Sequence, residues 1–333
     1  LGSMVLSEPG QYGRIVRKGS RFTEVVEFKD ANAAQKKISE VNGGVYFFNR
    51  KVLAEFLLKM KNKNSQNEFY LPDVFAYCAK LKKKTLAYVF EDSSVVQGVN
   101  NMKELAEAAQ ALYWRQAVRV MADGVFLAEP RYTYIGPEVA IGAGSRIGGF
   151  TTIEGKSALD KGVVVGSHCE LVNVQVGSET VIKNCTVAHD TEMGSNCSVG
   201  PMANFRPGSK IGNKVKVGNF VELKEASLGD NTAASHLSYI GDAEVGKNVN
   251  IGCGFVTCNY DSTVREGRRK HRSIIGDNVF IGSDSQVVAP IQIAAGTFIA
   301  SGSTVTESVN DPDSLVVART RQVTKPGYAK KYR

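Results

Sequence analysis

A short repeat occupies most of the second half of the chain. From Tyr134 onward an aliphatic residue followed by glycine recurs, many of the intervals are six residues, and the pairs use many of the chain's 33 glycines. This is the hexapeptide pattern of a parallel β-helix, in which the aliphatic residue points inward and the glycine accommodates a turn with positive φ. Three hexapeptides form one coil, so the repeat predicts roughly nine or ten coils. The pairs are Ile135-Gly136, Ile141-Gly142, Ile147-Gly148, Val165-Gly166, Val176-Gly177, Met193-Gly194, Val199-Gly200, Ile211-Gly212, Val217-Gly218, Leu228-Gly229, Ile240-Gly241, Val245-Gly246, Ile251-Gly252, Ile275-Gly276 and Ile281-Gly282.

The chain divides into regions with different residue patterns. Residues 5–100 mix strand-like and helix-like segments, as an α/β domain does. Residues 101–124 predict one amphipathic linker helix that stops at Gly124, and residues 125–333 comprise the β-helix with a C-terminal tail. Residues 1–4 have the character of a cloning remnant and are excluded from the predicted fold. The predicted strands are residues 24–28, 44–48 and 85–90, and the predicted helices are residues 52–60 and 71–81. The apolar face of the linker helix consists of Leu105, Ala108, Leu112 and Ala117.

Composition excludes several classes of protein. Apolar residues make up 43% of the chain, which excludes wholesale disorder, and no apolar run approaches the roughly 20 residues of a membrane span. The glycines do not recur at every third residue, which excludes collagen, and no secretory signal opens the chain. Six cysteines without a CxxC pair indicate reduced thiols and a cytoplasmic protein. We expect no membrane partner.

The formal net charge of +8 permits an anionic partner. Much of the charge is local, in residues 268–272 and in the tail 325–333. Such runs are most often solvated surface, so we expect no nucleic-acid partner.

Polar segments interrupt the repeat at three places, and a solenoid does not need them for its fold. The first is Asn204 to Gly208. The second comprises Asn219 to Lys224 and Ala234 to Tyr239. The third is Thr257 to Asp261, followed by a basic insertion. The sequence therefore predicts that the functional residues lie in these interruptions.

These segments resemble the acetyltransferase domain of the bacterial bifunctional N-acetylglucosamine-1-phosphate uridyltransferase/glucosamine-1-phosphate acetyltransferase family. The resemblance covers nearly the whole chain and implies a left-handed β-helix and a homotrimer with sites between subunits. It also implies acetyl transfer from acetyl-CoA to glucosamine 1-phosphate for UDP-N-acetylglucosamine and cell-envelope synthesis. The motifs that carry it are Phe205-Arg206-Pro207-Gly208, Gly218-Asn219-Phe220-Val221-Glu222, His236-Leu237-Ser238-Tyr239-Ile240-Gly241-Asp242-Ala243-Glu244, Val249-Asn250-Ile251-Gly252 and Thr257-Cys258-Asn259-Tyr260-Asp261.

The resemblance assigns roles to individual residues. It implies that His236 is the general base, which suits an imidazole that titrates near neutrality. It favours Glu222 as the group that orients the His236 ring, against the alternative of an ordinary surface carboxylate. The ligands it implies for the sugar phosphate are Arg206, Lys224, Tyr239 and Asn250. The coenzyme contacts it implies are Cys253, Asn259, Tyr260, Lys270, Ser283, Ser301 and Arg319.

Two features depart from the family pattern. Family members commonly carry alanine where Cys253 and Ser301 stand, and the loop between Asp261 and Lys270 is longer than we expect. The loop adds Arg265, Arg268 and Arg269, which either hold coenzyme phosphates or form a solvated loop. We favour direct transfer over an acyl-enzyme on Cys253, because no neighbouring base is assigned to that thiol.

The first 100 residues resemble only the second half of the family's uridyltransferase domain. Gly13, Glu27 and Asn42 match sugar-nucleotide contacts, and Asn100 matches a ligand of Mg²⁺. A glycine-rich phosphate loop of the type Leu-x-x-Gly-x-Gly-Thr-x-Met is absent from the sequence. We therefore expect no uridylyl transfer by this chain and no bound Mg²⁺, and we interpret the chain as a truncated form.

Two other functions remain open from the sequence. A zinc enzyme of the carbonic anhydrase type needs three converging histidines. The chain has four, which lie in differing sequence surroundings and so disfavour this function: His168, His189, His236 and His271. A non-catalytic scaffold would resemble regulatory subunits that join a transferase-like domain to a solenoid. The residues around His236 favour catalysis over the scaffold.

Overall fold

The structure is a computed structural model that describes residues 1–264, 267, 269–328 and 330. The chain forms two compact units, residues 1–111 and residues 112–333. The division falls inside the long helix predicted for residues 101–124. Within the described part of the chain, no helix is long and apolar enough to cross a membrane.

The first unit contains a five-stranded sheet. Its strands and helices are β1 Gly2–Val5, β2 Arg14–Lys18, β3 Arg21–Val26, β4 Glu40–Asn42, α1 Arg50–Leu57, α2 Asp73–Lys80 and β5 Tyr88–Val89, with 3-10 turns at Gln35–Lys37 and Ser93–Val96. The sheet order is β3-β2-β4-β1-β5. Asn49 caps α1 by accepting hydrogen bonds from two backbone N–H groups of its first turn. Phe22, Phe56, Val74 and Phe75 form the centre of the main apolar core.

Three expectations for this unit differ from the structure. Residues 44–48, predicted as a strand, are irregular: Gly44 has a φ of 73° and donates its N–H to Asn42 Oδ1, which ends β4 in a turn. The predicted strand at residues 85–90 shrinks to β5. Residues 1–4, excluded from the predicted fold, supply most of β1, because Met4 is buried against Val41 and Val96.

The linker helix α3 extends over Met102–Ala122. Its predicted stop is confirmed, because Gly124 has a φ of 88° and donates its N–H to the Met121 carbonyl. The predicted apolar face is only partly correct. Leu105 and Leu112 are exposed, and the helix buries Ala117 and Val120 instead.

The second unit is a parallel β-helix, as the repeat predicts. A 3-10 turn, Pro130–Tyr132, follows its first strand. The strands are β6 Phe126–Leu127, β7 Tyr134–Ile135, β8 Ala140–Ile141, β9 Arg146–Ile147, β10 Thr152–Glu154, β11 Ala158–Leu159, β12 Val164–Val165, β13 Glu170–Val172, β14 Gln175–Val176, β15 Val181–Ile182, β16 Val187–His189, β17 Glu192–Met193, β18 Ser198–Val199, β19 Asn204–Phe205, β20 Lys210–Ile211, β21 Lys216–Leu228, β22 Ala233–Val245, β23 Asn250–Ile251, β24 Val256–Cys258, β25 Ser273–Ile275, β26 Phe280–Ile281, β27 Gln286–Val288, β28 Ile291–Ile293, β29 Phe298–Ile299, β30 Thr304–Val305 and β31 Leu315–Val316.

These strands stack into three faces. Face A runs from β6 through β9, β12, β15 and β18 to the start of β21, and continues from β22 to β23, β26, β29 and β31. Face B contains β7, β10, β13, β16, β19, the middle of β21 and of β22, β24, β27 and β30. Face C contains β8, β11, β14, β17, β20, the ends of β21 and β22, β25 and β28. Ten strands on face B in the described residues agree with the predicted number of coils.

The glycines of the repeat serve another purpose than the one predicted. Among the fifteen, only Gly200 has a positive φ, of 82°. A Cβ on Gly142 would lie 2.5 Å from the backbone nitrogen of Lys161, and one on Gly194 would lie 2.4 Å from the Gly212 carbonyl oxygen. The repeat therefore selects glycine because neighbouring coils approach closely there. The left-handed turn conformation falls mainly on other residues, such as Asn231 and Asn248.

Candidate active site

The longest strands of the solenoid carry the second polar interruption. β21 and β22 pair in parallel over 13 residues each, with Asn219 opposite His236 and Glu222 opposite Tyr239. We call the turn between faces A and B corner AB, and the turn between faces B and C corner BC. The predicted site residues of these two strands lie on face B and its two corners, about 4.8 Å apart from coil to coil.

Three cations converge where face B reaches corner BC. Arg206 and Lys224 occupy successive coils, because the Arg206 N–H donates to the carbonyl of Leu223. The Lys270 amine lies within hydrogen-bonding distance of Lys224 and lowers the pKa of Lys224; burial and the charge of Arg206 act in the same direction, and Asp242 opposes them. Like charges held this close favour an anion between them.

Glu222 takes a different partner from the one predicted. Its Oε1 lies 3.1 Å from Arg206 Nη1, and both side chains are partly exposed. Among the described residues no hydrogen bond joins Glu222 to His236. The structure therefore places Glu222 where it orients the Arg206 guanidinium.

A buried amide fixes the Tyr239 ring. Asn259 is only 7% exposed, and its Nδ2 donates to Asp242 Oδ2 at 2.5 Å and to Tyr239 Oη at 3.3 Å. A Cβ on Gly241 would lie 2.3 Å from Tyr239 Oη, so glycine makes room for the phenol. Asn259 was predicted as a coenzyme contact, and the structure instead commits its amide to these internal partners. Sequence reasoning assigned no role to Asp242 or Gly241, although both belong to the motif around His236.

The predicted base and several predicted coenzyme residues form one line along corner AB. Cys253 accepts from the Asp284 N–H at 2.7 Å, and Ser283 accepts from the Gly302 N–H at 2.8 Å, both through their carbonyl oxygens. All members of the line are exposed, and Arg319 donates to the Ser301 carbonyl at its upper end. The line consists of His236, Cys253, Ser283 and Ser301, and it spans about 14 Å at one coil per residue.

Two predicted residues lie apart from that line. Asn250 is on face A, between Ala233 and Phe280 in the strand stack, so it does not share a face with Tyr239. Tyr260 pairs with Lys270 at the base of the basic loop, where the Asp261 N–H donates to the Arg269 carbonyl at 2.8 Å. Arg265 and Arg268 lie outside the described residues.

The four residues predicted for a uridyltransferase site line one cavity of the first unit. The cavity has a volume of about 990 Å³ and is lined by Gly13, Glu27, Asn42 and Asn100, among others. Burial raises the pKa of Glu27, and the carboxylates of Asp30 and Asp73 add to this effect. A Cβ on Gly13 would lie 3.0 Å from Glu27 Oε1.

The resemblance implies Mg²⁺ here, and the donor set does not fit it. Both the backbone N–H and Nδ2 of Asn100 donate to Glu104 Oε2, at 2.6 and 3.1 Å. The described part of the chain holds no group of three or more His, Cys, Asp or Glu side chains suited to a metal. His189 pairs with Glu170 on face B and His168 stacks on Phe150, so these histidines do not converge with His236 either.

Comparison with known proteins identifies the family. Residues 272–307 match the family model "Bacterial transferase hexapeptide (six repeats)". The bifunctional protein GlmU of Staphylococcus haemolyticus is 42% identical over 324 residues, which cover 97% of this chain and 70% of that protein. The chain belongs to the GlmU family. GlmU of Pelobacter propionicus is 41% identical over 97% of the chain and 69% of its own length, so the chain spans about 70% of these relatives.

The solenoid of the chain is therefore the left-handed β-helix of a GlmU-type hexapeptide transferase, as the resemblance implies. The chain also aligns with a solved structure, the UDP-N-acetylglucosamine acyltransferase of Francisella novicida. The alignment covers 52% of this chain and 61% of that protein. At 18% identity and a TM-score of 0.30, that likeness carries no argument about function.

Proposed function

We propose that this chain transfers the acetyl group of acetyl-CoA to the 2-amino group of glucosamine 1-phosphate. The observation that carries the proposal is the cluster of Arg206, Lys224 and Lys270 at one end of face B, with His236 at the other end. This arrangement offers an anion site and a base at opposite ends of the same face.

The cation cluster is the proposed phosphate site. The Arg206 guanidinium suits bidentate contact with phosphate oxygens, and Glu222 holds it in place at 3.1 Å. A phosphate dianion between Lys224 and Lys270 would offset the repulsion that lowers the Lys224 pKa. Tyr239, fixed by Asn259, lies on the same face and suits a contact with the sugar hydroxyls.

His236 is the proposed general base. It is exposed at corner AB, beside Tyr239 on the same strand. Its imidazole takes the proton of the amine as the nitrogen–carbon bond forms, and returns a proton to the departing sulfur as the carbon–sulfur bond breaks. The Ser283 hydroxyl and backbone N–H groups near Cys253 are the proposed donors to the developing oxyanion.

Acetyl-CoA supplies the acetyl group and a thiolate leaving group. The residues along corner AB suit an extended ligand, because the line from His236 to Ser301 is open and about 14 Å long. Arg319 is the proposed contact of its phosphates. Lys270, which the resemblance implies as a coenzyme contact, belongs in this proposal to the sugar-phosphate site, and Tyr260 lies at the base of the same loop.

The product would feed UDP-N-acetylglucosamine and cell-envelope synthesis in the cytoplasm. We propose that the cavity with Gly13, Glu27 and Asn42 does not by itself support uridylyl transfer, since Asn100 is committed to Glu104.

A homotrimer completes the proposed site. Asn250 lies on face A and Tyr239 on face B, so Asn250 of the same chain does not face the sugar. A neighbouring copy that turns its face A toward face B would supply it. This supports the arrangement, implied by the resemblance, of sites between subunits.

A thiol-release assay with acetyl-CoA and glucosamine 1-phosphate tests the proposal. We expect turnover in the native chain and a loss of about 10²–10⁴-fold in His236→Ala. His189→Ala is the matched control, because His189 lies on the same solenoid and pairs with Glu170. Equal rates in His236→Ala and the native chain would show that His236 is not the general base. Absence of thiol release from the native chain would favour the scaffold, and zinc retained after dialysis would favour the metalloenzyme.

A further inference from the structure

A buried carboxylate lies beside the proposed sugar-phosphate site, and the proposed reaction assigns it no role. Asp242 belongs to the motif around His236, and only 6% of its surface is exposed. It occupies a turn at corner BC with a φ of 49°, a left-handed conformation that aspartate and asparagine tolerate better than most residues with a side chain. Burial of an ionised carboxylate is costly unless hydrogen bonds and opposite charges compensate it. The neighbours of Asp242 must therefore provide this compensation.

An exposed counterpart of this turn lies lower at the same corner. Asp190 has a φ of 48°, and its Oδ1 accepts a hydrogen bond from Asn173 Nδ2, on an adjacent coil, at 3.0 Å. In the same way Asp242 Oδ2 accepts from Asn259 Nδ2, on an adjacent coil, at 2.5 Å. The two turns differ in exposure, because Asp190 is exposed and Asp242 is buried. The aspartate–asparagine pair thus forms at this corner without burial of the carboxylate.

The negative charge of Asp242 is balanced by the cation cluster. Lys224 lies opposite Gly241 in the strand register, one position before Asp242. Because adjacent coils are about 4.8 Å apart, the backbones of Lys224 and Asp242 lie about 6 Å apart. The pKa of Lys224 is lowered by Lys270, by burial and by the charge of Arg206, and the charge of Asp242 opposes this lowering. Asp242 therefore favours the charged form of the Lys224 amine.

Three further carboxylates lie on the elements around the cluster, and each has another partner or is exposed: Glu222, Asp261 and Glu225. Glu222 Oε1 lies 3.1 Å from the guanidinium of the cluster. Asp261 accepts from the hydroxyl and the backbone N–H of Thr263, and these bonds, together with a smaller effect of the charge of His271, lower the pKa of Asp261. The third carboxylate is exposed at the turn. In the described part of the chain, Asp242 is thus the buried carboxylate beside Lys224.

The same carboxylate holds the ring proposed for the sugar contact. Asn259 Nδ2, which donates to Asp242, also lies 3.3 Å from Tyr239 Oη. The backbone next to Asp242 is fixed from inside the solenoid, because Thr257 Oγ1 accepts from the Gly241 N–H at 2.7 Å and donates to the Gly241 carbonyl at 2.9 Å. The position of the carboxylate therefore determines both the charge near the phosphate and the seat of the phenol.

We infer that Asp242 is a positioning residue, whose carboxylate balances the charge of Lys224 at the phosphate end of the site and anchors Asn259 beneath Tyr239 at the sugar end. The inference rests on the proposed function for the identity of the ligand. The charge state of Lys224 and its dependence on Asp242 do not require that function. Removal of the charge and removal of the amide link should therefore have separable effects.

The first test removes the charge and retains the turn. Asparagine tolerates the same φ and keeps an oxygen that accepts from Asn259, so Asp242→Asn is the variant. Trace labelling of the amines by acetic anhydride across alkaline pH, read by mass spectrometry, measures the ionisation of Lys224 without substrate. We expect its labelling profile to move to lower pH by on the order of one unit. Asp190→Asn is the matched control and should leave the profile in place. A Lys224 profile that coincides in Asp242→Asn and the native chain, or moves equally in the control, would overturn the inference.

Turnover of glucosamine 1-phosphate measures the consequence for the site. In Asp242→Asn the alkaline limb of kcat/KM should move to lower pH by the same amount as the labelling profile. This direction is opposite to that expected for Lys270→Gln, so the double variant should lie between the two. A lower plateau of kcat/KM with an unmoved limb would reduce Asp242 to a structural role and overturn the inference. A native chain that labels as expected but shows no turnover would refute the proposed function alone.

A second variant removes the amide link and retains the charge. In Asn259→Ala the KM for glucosamine 1-phosphate should rise, because Tyr239 loses its contact, while the labelling profile of Lys224 stays in place. Circular dichroism establishes that each variant is folded. An unchanged KM in Asn259→Ala would overturn the link between Asp242 and the ring, and this outcome is decisive even if Asp242→Asn does not fold.

Discussion

Tyr239 lies folded over Gly241, and a Cβ at Gly241 would come within 2.3 Å of the Tyr239 hydroxyl and 2.8 Å of Asn259 Nδ2. Gly241→Ala should therefore displace the phenol and break its contact with Asn259. We expect a raised KM for glucosamine 1-phosphate and a loss of about 1–3 kcal/mol in the free energy of unfolding. Steady-state kinetics and thermal melting measure the two effects.

The control for this change is Gly136→Ala. Gly136 belongs to the same repeat, but its added Cβ would meet its nearest neighbour, Glu154 Cα, at an ordinary 3.4 Å. We expect an unchanged KM in this variant. A similar KM in Gly241→Ala and Gly136→Ala would show that the position of Tyr239 does not matter for the sugar.

The Lys224–Lys270 pair predicts a pH dependence. A lysine binds phosphate through its charge, so binding weakens as the pH rises through the pKa of Lys224. Lys270 lowers that pKa, which moves the alkaline limb of kcat/KM to lower pH than an isolated lysine would give. Lys270→Gln removes the neighbouring charge, so the pKa of Lys224 rises and the limb moves to higher pH. Profiles of kcat/KM for the sugar phosphate measure the shift.

Lys210→Gln is the matched control for that profile. Lys210 pairs with Glu192 on face C, away from the cation cluster. We expect no displacement of the alkaline limb in this variant. If the alkaline limb of kcat/KM also stays in place in Lys270→Gln, Lys224 does not bind the phosphate.

The first unit should lose stability in acid through Glu40. Arg17 donates to both oxygens of Glu40, at 2.8 and 2.7 Å, and this hydrogen bonding lowers the pKa of Glu40. A lowered carboxyl pKa stabilises the fold above the unfolded-state pKa, and this stabilisation is lost as the pH falls toward the folded-state pKa. Arg17→Met should therefore destabilise the protein at neutral pH, and its melting temperature should fall less steeply as the pH is lowered. Thermal melting of both proteins across the acid range tests this. An equally steep fall of the melting temperature in both proteins would contradict it.

The sequence predicted the solenoid better than it predicted the reasons for it. The spacing of aliphatic–glycine pairs is a local signal, and it located the β-helix and its number of coils. The role of glycine depends on distances between coils, such as that from Gly142 to Lys161, which lie 19 positions apart and cannot be inferred from one repeat. The strand predicted at residues 44–48 failed for a similar reason, since the Asn42–Gly44 turn overrides the β propensity of the aromatic residues that follow.

The candidate site, like the fold, was only partly predictable from the sequence. Resemblance assigned His236 as the base and Cys253, Ser283 and Ser301 as coenzyme contacts, and the register of the coils places all four in one line. Side-chain partners were less predictable, because Glu222 pairs across a coil with Arg206 and Asn259 is buried beneath Tyr239. These contacts depend on rotamers and burial, which a linear motif does not specify.

Cys253 predicts a sensitivity to alkylation. Its thiol is exposed at corner AB, one coil above His236, on the path proposed for the acetyl group. Iodoacetamide should therefore inactivate acetyl transfer in the native chain, because a carboxamidomethyl group would occupy that path, and prior addition of acetyl-CoA should slow the reaction. Cys253→Ala, assayed against its own untreated sample, should lose activity more slowly. Cys258→Ala is the control, since Cys258 is also exposed but lies near corner BC. Full activity in a sample whose Cys253 is shown by mass spectrometry to be alkylated would remove this residue from the path of the acetyl group.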